Sequence, residues 1–350
     1  MIRLALVLGL AVLPLSAAAA PVAPADAIGA RLHDARATYE RILATNPQAA
    51  GILAGLHLDD RLKDDGDMLA MQRPQDITAA VWDQTLFEQI ALDSSLVDQL
   101  AAGPMPFMLG TGLHEHIIRS ATDGGLDAVA TYVPAVPARA VAIVLHGNPQ
   151  TEAQILGQPY LRSLADESGT ILIAPYGRGS YDFRGTPLLD FYGLLELVKG
   201  LPALAKLPFY LVGYSMGGFT AYMIGPEAPV AWNGVLDISG ALVGSASSAV
   251  LKHWRHTRIY VVHGGKDTSI PTRFGRNTAI FLFNSGIDVS YYEQGGAGHY
   301  LRELAPTVRE AWNDMLKGVV RNGAAARLAR DNQPMLPGAM AGPATKMEQP

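Results

Sequence analysis

A chain of 350 residues, 49% hydrophobic and 17% charged, is long enough for one large domain with an appendage, or for two. It contains no cysteine, which excludes a disulfide framework, thiolate metal ligation and a cysteine nucleophile. A formal charge of −5 leaves no electrostatic footprint for nucleic acid.

The first residues read as an export signal. Arg3 supplies a positive start, residues 4–15 an apolar stretch, and residues 16–20 the small side chains of a cleavage region. The stretch runs roughly a dozen residues where a spanning helix needs about 20, so residues 1–20 predict a removed signal peptide rather than a stable membrane anchor. The protein is then expected in the periplasm or outside the cell. From 25 to 110 the signals are helical. Residues 30–43 mix apolar and charged positions at helix spacing and stop at Asn46-Pro47. Residues 77–100 repeat the pattern, with Val81, Trp82, Leu86, Ile90 and Leu96 as core candidates, and end at Gly103-Pro104. Residues 59–74 between them read as a polar connection.

Beyond Gly112 the texture changes. Residues 113–118 and 129–133 predict two strands joined across Asp123-Gly124-Gly125. Continuous apolar runs follow at 141–145, 171–174, 209–212, 235–238, 259–262 and 289–292, each closed by a turn signal. Continuity rather than alternation marks strands covered on both faces, the habit of parallel sheets. Helical stretches at 159–167, 188–204, 216–224, 272–284 and 301–320 separate most of them. Residues 113–320 therefore predict an α/β domain, a mostly parallel sheet with helices on both faces. Residues 324–350, rich in Ala, Pro, Gly and Met, read as a loose tail.

Chemistry in such sheets collects beyond the carboxyl ends of the strands. After the run at 209–212 comes Gly213-Tyr214-Ser215-Met216-Gly217-Gly218, a Gly-x-Ser-x-Gly between a strand and a helix. A strand turning abruptly into a helix strains the central residue and lifts its hydroxyl clear of the sheet. A serine hydroxyl needs a base to take its proton. His263-Gly264-Gly265-Lys266-Asp267 places a carboxylate past the next-to-last strand, and Gly295-Gly296-Ala297-Gly298-His299 an imidazole past the last. Ser215 is then the nucleophile, His299 the base and Asp267 the carboxylate that orients it. Asp237, inside the run at 235–238, is the rival acid. The developing oxyanion needs donors, for which the backbone N–H groups of Asn148 and Met216 are the candidates. Asn148 either adds its side-chain amide or begins the Asn-Pro turn, and His146 reads as a brace for that loop.

Leu145-His146-Gly147-Asn148, Gly213-Tyr214-Ser215-Met216-Gly217-Gly218, His263-Gly264-Gly265-Lys266-Asp267 and Gly298-His299 resemble the α/β-hydrolase superfamily. Within it they are most similar to bacterial secreted esterases near the feruloyl-esterase and polyhydroxybutyrate-depolymerase group, and to compact carboxylesterases. That group's usual cysteine is Asn148 here. The resemblance implies an α/β-hydrolase fold, an ester substrate that is small or polymeric, and no cofactor or metal. A serine peptidase or amidase like the prolyl oligopeptidases, and a catalytically silent binding protein, are the alternatives. Lesser features are His114 and His116, which share a strand face and read as exposed edge-strand histidines ahead of a metal pair lacking a third ligand. Residues 176–180 read as a glycine-rich turn, with Arg178 as a contact for an anionic substrate group the alternative. Residues 253–256 read as a helix end over the sheet. Residues 240–257 are too short for a large lid, so any cover over Ser215 is expected from the helical N-terminus.

Overall fold

A computed structural model describes residues 25–331, apart from 74–77, 104–105 and 181. The signal-peptide expectation for residues 1–20 lies outside the described residues, as does residues 332–350 of the expected tail. In chain order the elements are α1 (Ala25–Thr45), α2 (Ala50–Leu53), α3 (Leu58–Ala70), α4 (Ala79–Ala102), β1 (Gly112–Arg119), β2 (Leu126–Val133), β3 (Ala140–Leu145), α5 (Glu152–Leu156), α6 (Pro159–Ser168) and β4 (Thr170–Pro175). The remainder are α7 (Thr186–Gly200), β5 (Phe209–Tyr214), α8 (Met216–Ile224), β6 (Trp232–Ile238), α9 (Ser247–His253), β7 (Ile259–Gly264), α10 (Arg273–Asn284), β8 (Val289–Gln294), α11 (Leu301–Lys317) and α12 (Gly323–Asp331).

The eight strands form one sheet in the order β1-β2-β4-β3-β5-β6-β7-β8. β1 and β2 pair antiparallel, β2 meets β4 antiparallel, and every pairing from β4 to β8 is parallel. Side chains alternate across a strand, so each apolar run feeds two cores. Ile143, Leu211, Val235 and Val261 point to one face, where Leu194 of α7, Tyr222 of α8 and Leu282 of α10 cover them. Val144, Val212, Leu236 and Val262 point to the other, against Leu164 of α6 and Leu304 and Trp312 of α11. This double coverage is why the runs are continuously apolar.

The helical N-terminus has a core of its own, with Ile28, Leu32, Leu62, Ile90 and Leu96, but it closes against Leu126 and Ala128 of β2 and against Tyr176. The region is packed onto the antiparallel end of the sheet, several strands from β5, rather than laid over Ser215 as a cover. Leu86, Ile90 and Leu96 are buried as expected and Trp82 is half-buried; the Val81 side chain lies outside the description.

Two segments differ from the sequence expectation. The polar stretch 59–74 is largely helix α3, whose buried face is Leu58, Arg61, Leu62 and Asp65. Two of those four are charged, so an apolar period does not find the face. The start of the expected tail is helix α12, which rests on α10 and β8. Ala324, Ala325 and Leu328 fall on one side of it and pack into the core. Alanine at helix spacing is apolar enough to dock and has the highest helix propensity, although it reads as low complexity.

Candidate active site

The carboxyl ends of β3, β5, β7 and β8 bring distant residues to one rim. Ser215, between β5 and α8, has φ 55° and ψ −119°, a strained conformation for any residue with a Cβ. Its N–H donates to the carbonyl of Ile238, 2.8 Å away, which anchors the turn on β6. Gly213 and Gly217 are required by close approach. A Cβ on Gly213 would strike the Gly217 backbone, and one on Gly217 would strike the carbonyl of Leu145. The serine hydroxyl is left half-buried at the surface of the sheet.

Two glycine-rich loops meet beside it. Gly265 N–H donates to Gln294 and Lys266 N–H to Ala297, at 2.9 and 2.8 Å, so the loop after β7 is tied to the loop after β8. The first loop carries Asp267 and the second His299. His299 Nε2 is 2.8 Å from Ser215 Oγ, and His299 Nδ1 is 2.7 Å from Asp267 Oδ2. The carboxylate fixes the tautomer: Nδ1–H donates to Asp267, which leaves Nε2 to accept the serine proton. Asp267 is fully buried, and its other oxygen accepts N–H bonds from Ser269 at 2.9 Å and Ile270 at 2.8 Å. Below the imidazole, the Tyr214 hydroxyl donates to the His299 carbonyl at 3.2 Å.

His263 is a neighbour that the sequence did not assign. Its Nε2–H donates to the carbonyl of Ile270 at 2.8 Å and lies 3.4 Å from Asp267 Oδ2. Burial, first of several causes, lowers its pKa, which favours the neutral ring. The only sequence signal for it is its place at the last inward position of β7, four residues before Asp267.

The loop after β3 passes over the serine: a Cβ on Gly147 would lie 3.2 Å from Ser215 Cβ. Asn148, next in line, is exposed and joined to Pro149 by a cis peptide bond. Neither the Asn148 nor the Met216 N–H makes a hydrogen bond within the described residues, so both remain available to a ligand. The Asn148 side chain likewise has no partner there. His146 is buried as a brace, with Nδ1 2.9 Å from the Gly147 carbonyl and Nε2 3.3 Å from that of Tyr176.

The other candidates fall elsewhere. Arg178 is not open to an anionic substrate group. Its guanidinium is forked onto Asp123 at 2.7 and 2.8 Å, and its Nε donates to buried Asp190 at 2.8 Å. His114 and His116 do share a strand face, 6.4 Å apart by ring centres, but each has a partner. His114 donates to the Thr111 carbonyl, and His116 meets the Thr131 hydroxyl. Burial first, then His114, pushes the His116 pKa down to about 4. Among the described residues no group of three or more His, Cys, Asp or Glu side chains could hold a metal ion. Residues 253–256 begin at the end of α9 and bury Trp254. Asp237 does not reach His299. It lies in mid-sheet beneath the serine turn, where its Oδ1 accepts the Gly240 N–H at 2.9 Å and faces Gly218.

Strand order, two-sided helix cover and a serine on a sharp strand-to-helix turn between β5 and α8 fit one architecture. The fold is the α/β-hydrolase fold. A ferulic acid esterase superposes with a TM-score of 0.50 at 12% identity, over 59% of this chain and 97% of that one. A thermostable esterase aligns at 19% identity with a TM-score of 0.47, over 59% of this chain and 62% of its own length. The acylaminoacyl peptidase of Pyrococcus horikoshii aligns at 13% identity with a TM-score of 0.44, over 59% of this chain and 41% of that one. By sequence, the chain matches no family profile and no curated protein.

Asp237 provides a pH test of its structural role. Burial pushes its pKa up to about 7 from an ordinary value of 3.8. A raised folded-state pKa gives stability that is complete below the unfolded value and is lost as pH rises through 7. Asp237→Asn removes that titration while keeping an acceptor for Gly240. Urea midpoints of the two proteins should therefore converge near pH 4 and separate by pH 8, with the variant more stable. Three pKa units correspond to roughly 4 kcal/mol. Parallel curves across that range would contradict the assignment.

Proposed function

We propose that the protein is an exported serine hydrolase that cleaves carboxylic esters through an acyl-enzyme, with Ser215, His299 and Asp267 as its catalytic residues. The main support is the unbroken hydrogen-bonded line from the Ser215 hydroxyl through His299 to buried Asp267, at 2.8 and 2.7 Å. Export rests on residues 1–20 alone. Among the described residues, no helix is long and apolar enough to cross a membrane.

Ser215 Oγ attacks the ester carbonyl carbon as its proton passes to His299 Nε2. The Asp267 carboxylate stabilises the imidazolium so formed and keeps the ring in line. Charge gathers on the former carbonyl oxygen, where the amides of Asn148 and Met216 donate to it; one such donor is worth about a hundred-fold or more in rate. Collapse of this tetrahedral species expels the alcohol, which takes the proton from His299. Water then attacks the acyl carbon while His299 accepts its proton, and a second collapse returns that proton to Ser215 and frees the acid.

Ser215→Ala should lower kcat on p-nitrophenyl esters by on the order of 10⁶-fold with the circular dichroism spectrum unchanged. Activity within ten-fold of the native protein would overturn the assignment. Parallel assays on p-nitrophenyl esters and peptide anilides define the leaving group: faster ester cleavage is expected, and faster anilide cleavage would make the protein a peptidase. N-terminal sequencing of the secreted chain should begin near Pro21. An intact Met1 on active, cell-associated protein would contradict export.

A further inference from the structure

The helical N-terminus meets the hydrolase part of the chain at one buried cluster of charge. Arg61 of α3 is 3% exposed and surrounded by carboxyl groups from three other elements. Its guanidinium donates to Asp93 of α4 at 2.8 Å and to Glu152, the first residue of α5, and stands 4.0 Å from Glu115 of β1. Nε donates to the Leu56 carbonyl at 3.0 Å, and the guanidinium lies over the Tyr176 ring, 4.1 Å from its centre. The three carboxyl side chains are at most 1% exposed. Burying so many ionisable groups seldom adds net stability over an apolar core of the same volume. The cluster therefore invites a functional explanation, and its position supplies one.

Residues 146–151 form the loop that carries Asn148 past Ser215, and Arg61 touches a residue beside each of its ends, Glu152 at one and Tyr176 at the other. At the far end, Glu152 follows Thr151 directly, and a reciprocal cap between Thr151 and Gln154 locks the loop to the start of α5. At the near end, the Tyr176 carbonyl faces His146 Nε2 at 3.3 Å, and His146 in turn faces the Gly147 carbonyl at 2.9 Å. A planar guanidinium can clamp Glu152 in its plane and stack Tyr176 on its face at once, which an ammonium cannot.

We infer that Arg61 is a positioning residue. Through Glu152 and Tyr176 it sets the distance of the Asn148 amide from Ser215, making the helical N-terminus part of the oxyanion-binding apparatus. This rests on the catalytic reading above and deepens it. The serine, imidazole and carboxylate are untouched by the cluster, so its loss should weaken transition-state binding without altering the base. A displacement of an ångström can cost about a hundred-fold in rate.

The test compares the full chain with Glu152→Leu, which leaves Arg61 paired to Asp93, and with Arg61→Lys, which keeps a cation in the box. Circular dichroism and a thermal melt establish folding before kinetics with a p-nitrophenyl ester. Both variants should lose about ten-fold or more in kcat with KM within two-fold. A trifluoromethyl ketone, whose adduct on serine carries an oxyanion, should bind more weakly by the same factor as kcat/KM falls. The pH midpoint of kcat/KM should not move, and Glu152→Gln, which keeps an acceptor for Arg61, should restore kcat to within about three-fold of native. A folded Glu152→Leu or Arg61→Lys protein with native kcat would overturn the inference, and so would a change confined to KM or a shifted pH midpoint. If Ser215→Ala stays active, the catalytic reading fails; if it is dead while the cluster variants are fully active, only the role of Arg61 fails.

Discussion

A carboxylate removed from water must be met by donors, and at Asp267 that requirement shapes the site. Its side chain is fully buried, so its charge is tolerable only because Ser269, Ile270 and His299 all donate to it. The first two bonds fold the loop after β7 into a fixed shape. The third aims the imidazole, and with the aim comes the tautomer that leaves Nε2 facing Ser215. His263 backs the same carboxylate from β7, and its interior site favours a neutral ring that does not compete for the charge.

The sheet makes this convergence possible through backbone proximity. Loops from β7 and β8 touch main chain to main chain, where a Cβ on Gly264 would collide with the carbonyl of Gly298. At the serine turn the same crowding selects Gly213 and Gly217. Strain at Ser215 is carried by the parallel strands on either side, whose side chains are buried in two cores. On the opposite side of the serine, the loop bearing Asn148 has no such sheet partner. It is held by His146, by the cap on α5 and by the buried charges around Arg61. The helical N-terminus thus approaches the rim from its side through salt bridges and a stacked ring.

Much of this was legible in the sequence because parallel strands and tight turns leave local signatures. All six continuous apolar runs became strands, and the Gly-rich turns after them carry Ser215, Asp267 and His299. Residues whose roles depend on partners far along the chain were not legible. Arg61 sits in a stretch of aspartates and lysine that reads as a solvated connection, yet its partners at 93, 115 and 152 turn it inward. The alternative of Arg178 as an anion contact stayed open in the sequence because Asp123 and Asp190, which occupy it, lie elsewhere along the chain. Helix α12 separates its apolar and charged sides well, but it is only nine residues long and opens an Ala-rich stretch, too short a run for its period to stand out in the sequence.

The most direct measurement is rapid mixing of the protein with excess p-nitrophenyl ester, followed by acid quench and peptide mass analysis. A burst of one p-nitrophenol per chain, with the acyl mass on the peptide containing Ser215, is the expected result. A linear release with no burst and no label, or a label on another residue, would contradict the proposed acyl-enzyme.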